Sequence, residues 1–358
     1  MELEVTSVVQ ARIETKDHGM KIAIVSSHPT PEHSLEAFYE RAFQAIGHSV
    51  SRWSLLGGYG LSDRILNRHR SLRRWGIQPQ LSAAGVVERI SASRPDLTVV
   101  VRCETLCAES IRELRSRSSI ACVNVYPDHP FVVPGTGAVQ MADSLGAYDC
   151  VFTFAHGLVP VFYQLGARVV RRLAFGFDKS AHRVVSPSAG EQEKNVFSYF
   201  GTWGPIQQRF VSHFSDPGIS VFGPGWRRLS RTVTGVKYVE SRGMGLDMAT
   251  EIGRTEVVTN LIRAEHGCGH SMKTFEILAC GGFMLSNWTM EQAEFFDDER
   301  HCCYFNTFDE ASDKARFYVK NPDVRMRIAR AGLAEVQKHP YDFRAAEILS
   351  HFGLDGRA

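Results

Sequence analysis

The chain has 358 residues, 44% of them hydrophobic and 22% charged, a composition ordinary for a folded protein at a length for which two domains are expected. The formal net charge of +2 excludes a general electrostatic footprint for nucleic acid. No apolar run approaches the roughly 20 residues that span a bilayer, and the acidic, polar beginning lacks the form of a signal peptide, so a cytoplasmic protein is expected, with residues 1–19 as a loosely held extension.

Elements are read in chain order. Lys21-Ile22-Ala23-Ile24-Val25-Ser26-Ser27 is a short apolar run ending in small polar residues, the pattern of a buried first strand. Ser34 to Ile46 carries Leu35, Phe38, Ala42, Phe43 and Ile46 on one helical stripe closed by Gly47. A strand over 49–55, an Arg-rich helix and an amphipathic helix over 81–93 follow. Asp96 to Val101 predicts a buried strand and Ala108 to Ser116 a helix. Further strands are expected over 120–126, 149–154 and 168–173. Strands alternating with helices imply a parallel, doubly wound α/β sheet.

Between Asp178 and Lys194 the composition turns to Ser, Pro, Gly, Glu and Lys, read as a linker over 179–194. A second alternation begins at Asn195: strands over 195–200, 219–222, 256–261 and 283–286, with helices over 205–214, 245–252 and 273–280. Three helices close the chain, over 308–320, 322–338 and 343–352. The expected organisation is a Rossmann-like N-terminal domain over 20–178, a second such domain over 195–338, and a C-terminal segment over 339–358 that crosses back to the first. Open α/β sheets bind ligands outside the carboxyl ends of their strands, so two such halves would face a central cleft.

The eight cysteines form no disulfide framework. Cys103, Cys122, Cys150 and Cys280 lie in or beside apolar segments, where a free thiol packs as a small hydrophobe. There is no CxxC pair, and the adjacent Cys302-Cys303 is a poor zinc arrangement, so a reducing compartment is expected.

The most informative stretch runs from His270-Ser271-Met272-Lys273-Thr274-Phe275-Glu276 to Cys280-Gly281-Gly282 and into the apolar Phe283-Met284-Leu285. It places a cation and a carboxylate three residues apart, hence on one face, at a helix start. A helix start offers unpaired N–H donors and the positive end of the dipole. That combination suits a sugar nucleotide: Lys273 and amides near Gly201 and Ser271 for the diphosphate, Glu276 for the ribose hydroxyls. The competing structural readings are a helix-favouring acid at Glu276 and a solvated lysine at Lys273.

Several other motifs accompany it. Tyr199-Phe200-Gly201-Thr202-Trp203 with Arg209, Val221-Phe222-Gly223-Pro224-Gly225-Trp226, and Val258-Thr259-Asn260-Leu261-Ile262-Arg263 each join a strand to a loop. Val125-Tyr126-Pro127-Asp128-His129-Pro130-Phe131 ends a strand in the first half. Together with the stretch above and Tyr341-Asp342-Phe343-Arg344, these resemble the GT-B glycosyltransferases, in particular the spore-maturation (CgeB-like) branch. The resemblance covers roughly residues 20–355 and is most specific over 258–310.

The resemblance implies a GT-B architecture and transfer of a sugar from a UDP-, GDP- or TDP-linked donor to a hydroxyl acceptor, without cofactor or metal. The acceptor would be a glycan, a lipid-linked molecule, a protein or a small molecule; nucleic acid is not expected as a partner. The implied donor-binding residues are Gly201, Thr202, Arg209, Gly223, Asn260, Arg263, His270, Ser271, Lys273, Thr274 and Glu276. Asp128, His129 and His156 are candidates for the base that deprotonates the acceptor, each with a turn-forming or half-exposed alternative. Retaining members often carry an acid eight residues before the ribose-binding glutamate; Cys268 stands there instead, which leaves the stereochemistry open.

Three further patterns are weighed. Gly223-Pro224-Gly225 fails as GxGxxG because residue 228 is Arg228. His266-Gly267-Cys268-Gly269-His270 has zinc-ligand types, but its glycines and lack of a fourth ligand favour a loop over the donor, whose amides could cradle phosphate. Arg64, Arg68, Arg70, Arg73 and Arg74 with Trp75 form a basic patch, either a solvated face or a dock for an acidic acceptor or for the inner face of a membrane. The rival functions are a nucleotide-sugar 2-epimerase or hydrolase on this fold, and a non-catalytic sugar-nucleotide-binding protein.

Overall fold

The computed structural model describes residues 19–55, 83–102, 106–131, 138–185, 195–228, 234–239 and 243–354. The N-terminal extension to residue 18, the basic segment with Arg64, Arg68, Arg70, Arg73 and Arg74, and the later part of the expected linker, 186–194, lie outside the described residues. The chain divides into two units, Met1–Ala174 with Asp342–Ala358, and Phe175–Tyr341.

The first unit is built on a six-stranded sheet: β1 (Lys21–Ser26), β2 (Ser49–Ser54), β3 (Leu97–Val101), β4 (Ala121–Tyr126), β5 (Cys150–Thr153) and β6 (Val170–Arg172). The order is β2-β1-β3-β4-β5-β6 and every pairing is parallel. Both β3 and β4 are buried at every residue, as near-continuous apolar strands must be when helices cover both faces. The helices described between them are α1 (Leu35–Ala45), α2 (Ala83–Ser93), α3 (Ala108–Arg117), α4 (Ala138–Leu145) and α5 (Val159–Gln164). Helix α1 starts where Ser34 Oγ accepts the Ala37 N–H at 3.3 Å, a cap that satisfies one of the donors left open at a helix start.

The second unit holds β7 (Asn195–Phe200), α6 (Pro205–Ser212), β8 (Ile219–Phe222), β9 (Val236–Val239), α7 (Gly245–Gly253), β10 (Thr255–Asn260), α8 (Met272–Ala279), β11 (Met284–Asn287), α9 (Met290–Phe295), β12 (Cys303–Phe305), α10 (Phe308–Lys320) and α11 (Pro322–Val336). Its sheet runs β12-β11-β10-β7-β8-β9, again parallel throughout. An aromatic core fills one side, with Phe210 against Phe214, Phe305 and Phe308. A last helix, α12 (Tyr341–Ser350), follows, and from Asp342 onward the chain belongs to the first unit.

The strand order places the site. After β7 the chain proceeds outward through β8 and β9, and with β10 it returns to the other side of β7. The strand order thus switches between β7 and β10, and open α/β sheets hold ligands at the carboxyl ends of the strands at such a point. Among the described residues no helix is long and apolar enough to cross a membrane.

Candidate functional site

At the switch point the loops that leave β7 and β10 are tied together. Arg263, just past β10, donates from Nη2 to the Thr202 carbonyl at 3.2 Å, and its Nη1 lies 3.4 Å from Glu265 Oε1. Thr202 is exposed. The Gly201 N–H is not open to a ligand, because it donates to the Phe222 carbonyl at 2.9 Å. The Gly201 carbonyl in turn accepts from Trp226 Nε1 at 2.8 Å. The expected amides near Gly201 therefore do not include that of Gly201 itself. Gly223 has φ +132°, and a Cβ there would collide with the Gly201 carbonyl, so the close approach of these two loops requires glycine. Arg209 stands exposed in the last turn of α6.

Helix α8 is fixed at both ends. At its start the Ser271 N–H donates to Thr274 Oγ1 at 3.4 Å. At its end Gly281 adopts φ +79°, the Gly282 N–H reaches the Ile277 carbonyl at 3.0 Å, and the Gly281 N–H reaches the Leu278 carbonyl at 2.9 Å. Those two bonds are the paired closures of a Schellman stop.

Some predicted donor residues turn out to hold this helix from inside. Thr274 is buried, and its hydroxyl donates to Gln292 Oε1 at 3.0 Å. The same oxygen accepts from Ser286 Oγ at 3.1 Å, and Asn260 Nδ2 reaches that hydroxyl at 3.3 Å. His270 is 0% exposed. Its Nε2 accepts the Phe175 N–H at 3.1 Å, and its Nδ1 lies 2.9 Å from Glu291 Oε2. With one ring nitrogen accepting, the other carries the proton, so His270 donates to Glu291. Asn260, Thr274 and His270 are thus buried and hydrogen-bonded into the scaffold around the helix start. Gln292 and Glu291, neighbours on the short α9, were not foreseen.

Lys273 and Glu276 lie one turn apart at the helix start, with Lys273 Nζ on Glu276 Oε2. The lysine is 24% exposed at its side chain and the glutamate 3%. Burial would raise the Glu276 pKa, but the Lys273 ammonium and His182 outweigh it, and the carboxyl is held below its ordinary range. His182 was missed by sequence reading because it lies in the stretch whose composition indicated a linker. Residues 179–185 belong to the second unit, and Val184 packs against Gly281. Among the described residues no group of three or more His, Cys, Asp or Glu side chains is placed to hold a metal ion.

In the first unit the candidates for a base lie at strand ends. Asp128, after β4, pairs through Oδ2 with Arg102 Nη1 at 2.8 Å. Arg102, at the end of β3, has φ +60°, an uncommon conformation for a side-chain-bearing residue. His129 Nδ1 accepts the Phe131 N–H at 3.2 Å. His156 Nε2 lies 2.7 Å from Arg172 Nη1; a guanidinium only donates, so that nitrogen accepts. Each imidazole has its lone pair engaged, whereas the Asp128 carboxylate keeps further acceptor positions.

Residues 207–350 match a family model described as glycosyl transferase-like. No curated protein matches the sequence. Among solved structures, Anabaena HepE in complex with UDP-glucose superposes with a TM-score of 0.61 at 16% identity, covering 93% of this chain and 100% of that one. An alpha-glucosyltransferase in complex with UDP and a 13-mer DNA gives 0.66 at 12%, covering 94% and 100%. Sucrose-phosphate synthase from Thermosynechococcus elongatus gives 0.63 at 10%, covering 93% and 98%. The fold is that of the GT-B glycosyltransferases. The part of the chain that carries α8 is glycosyltransferase-like in sequence as well.

Proposed function

We propose that this protein transfers a sugar from a nucleotide-sugar donor to a hydroxyl acceptor, with the donor held by the second unit. The observation that carries the reading is the Lys273–Glu276 pair at the start of α8, inside the stretch that matches the glycosyltransferase-like family. A UDP-sugar is the favoured donor, since similar structures contain UDP or UDP-glucose. The spore-maturation branch is the favoured subfamily, on the motifs around residues 199–203 and 258–282.

Glu276 is nearly buried and is paired with the more exposed Lys273. Donor binding therefore exchanges partners: the ammonium moves to the diphosphate, and the ribose hydroxyls take its place on the carboxylate. The charge that develops on the leaving diphosphate is stabilised by the same ammonium, by the helix start and by Arg263. Asp128 is the favoured base for the acceptor hydroxyl, because it retains acceptor capacity that His129 and His156 have committed elsewhere.

The test is a thermal-unfolding panel with UDP-, GDP-, TDP- and CMP-sugars. A ligand present at about 100 times its Kd stabilises a fold by roughly 2.7 kcal/mol. The expected outcome is a clear upward shift with a UDP-sugar; no shift with any member of the panel would contradict the reading.

A further inference from the structure

His182 occupies a position that the exchange above leaves exposed to consequence. It is 3% exposed and faces Glu276, itself 2% exposed, with His182 Nε2 at 3.6 Å from Glu276 Oε1. The tautomer is fixed from the other side: His182 Nδ1 accepts the Asp178 N–H at 3.0 Å, so the ring proton of the neutral imidazole resides on Nε2. Asp178 is also held in place. Its Oδ1 accepts the Ser180 N–H at 3.0 Å, the Ala181 N–H at 2.8 Å and the Ser180 hydroxyl, the pattern of an Asx turn. The His182 N–H closes the turn on the Asp178 carbonyl at 2.8 Å.

His182 Nε2 and the Glu276 carboxylate, 3.6 Å apart, make a contact just beyond hydrogen-bond length. The imidazole becomes the carboxylate's protein partner once the Lys273 ammonium departs. A buried carboxylate with no donor would be costly to keep ionised. We propose that His182 is a positioning residue for the ribose: presented by the Asp178 turn, its Nε2–H holds the Glu276 carboxylate charged and oriented while Lys273 serves the diphosphate. The inference rests on the donor-binding reading of Glu276 and adds a residue that composition had placed in a linker.

Two substitutions separate the two ends of the ring. Asparagine can still accept the Asp178 N–H but is too short to reach Glu276. Glutamine can present an N–H to Glu276 but gives up the acceptor for Asp178. Binding of UDP and of 2′,3′-dideoxyuridine diphosphate, which lacks the hydroxyls Glu276 would hold, is measured calorimetrically for the wild type, His182→Asn, His182→Gln and Glu276→Gln.

The expected result is that His182→Asn raises the Kd for UDP about tenfold, as loss of one charge-assisted contact does, and leaves the dideoxy Kd within about twofold. A purely structural role would weaken both ligands alike, and that outcome would overturn the proposal. So would an unchanged UDP Kd in His182→Asn while Glu276→Gln weakens UDP. Should Glu276→Gln itself bind UDP as the wild type does, the donor-binding reading fails and His182 loses its role with it. If His182→Asn does not fold, His182→Gln decides: a UDP Kd within about threefold of wild type supports the contact, and a loss of about tenfold with the dideoxy ligand unaffected contradicts it.

Discussion

The Arg263 guanidinium donates to the Thr202 carbonyl at 3.2 Å, joining the loop that leaves β10 to the loop that leaves β7. These loops leave the two strands between which the strand order reverses, so the bond lies at the switch point. Replacing Arg263 by Met keeps the aliphatic stem and removes both the tie and a cation. The guanidinium is more than a third exposed, so stability should fall by less than about 1 kcal/mol. Affinity for UDP should fall roughly tenfold. Urea unfolding and calorimetry measure the two quantities, and a loss of stability without loss of affinity would assign Arg263 to the fold alone.

Lys273 tests the partner exchange. In Lys273→Met the ammonium that would meet the diphosphate is gone, and so is the group that covers Glu276. UDP binding should weaken by about ten- to a hundredfold, the range for a charge-assisted contact of about 1.5–3 kcal/mol. Uridine, which has the ribose without the phosphates, should bind at least as well as to the wild type. Equal weakening of both ligands would mean that Lys273 supports the helix and not the phosphates.

The charge state of Glu276 makes a prediction in pH. Its ordinary pKa of 4.5 is lowered in the folded chain, so folding favours the ionised form. The stabilisation is fully present above the unfolded value and disappears as pH falls through the depressed folded value. The difference in urea midpoint between the wild type and Glu276→Gln should stay constant from about pH 8 to pH 5 and shrink only below about pH 4.5. A difference that already shrinks between pH 7 and 5 would mean that burial dominates and the carboxyl is raised.

Periodicity and apolar runs made most of the framework legible. Helix α10 was expected over the residues it occupies, and strand β3 stands out because burial on both faces favours a near-continuous apolar run, here Leu97 to Val101. Three kinds of feature escaped. Strands β9 and β12, four and three residues long, were not expected, although the equally short β8 and β11 were. Helices α4, α5 and α9 have eight, six and six residues, barely two turns each. The third kind is polar burial: a sequence does not disclose that His270 faces Glu291, or that His182 returns onto Glu276, because those pairings are made by tertiary contacts. The motif at residues 270–282 was visible as a helix start with a cation and an acid. The burial of His270, Thr274 and Glu276 together was not.

The most direct test of the account is titration of UDP-glucose into the wild type and into Glu276→Gln by isothermal calorimetry, with Tm recorded for each. Glutamine keeps the shape of the side chain and removes its charge, so the account predicts a folded variant whose Kd is raised at least about tenfold. A folded variant that binds UDP-glucose with unchanged Kd would contradict the assignment of Glu276 to the donor.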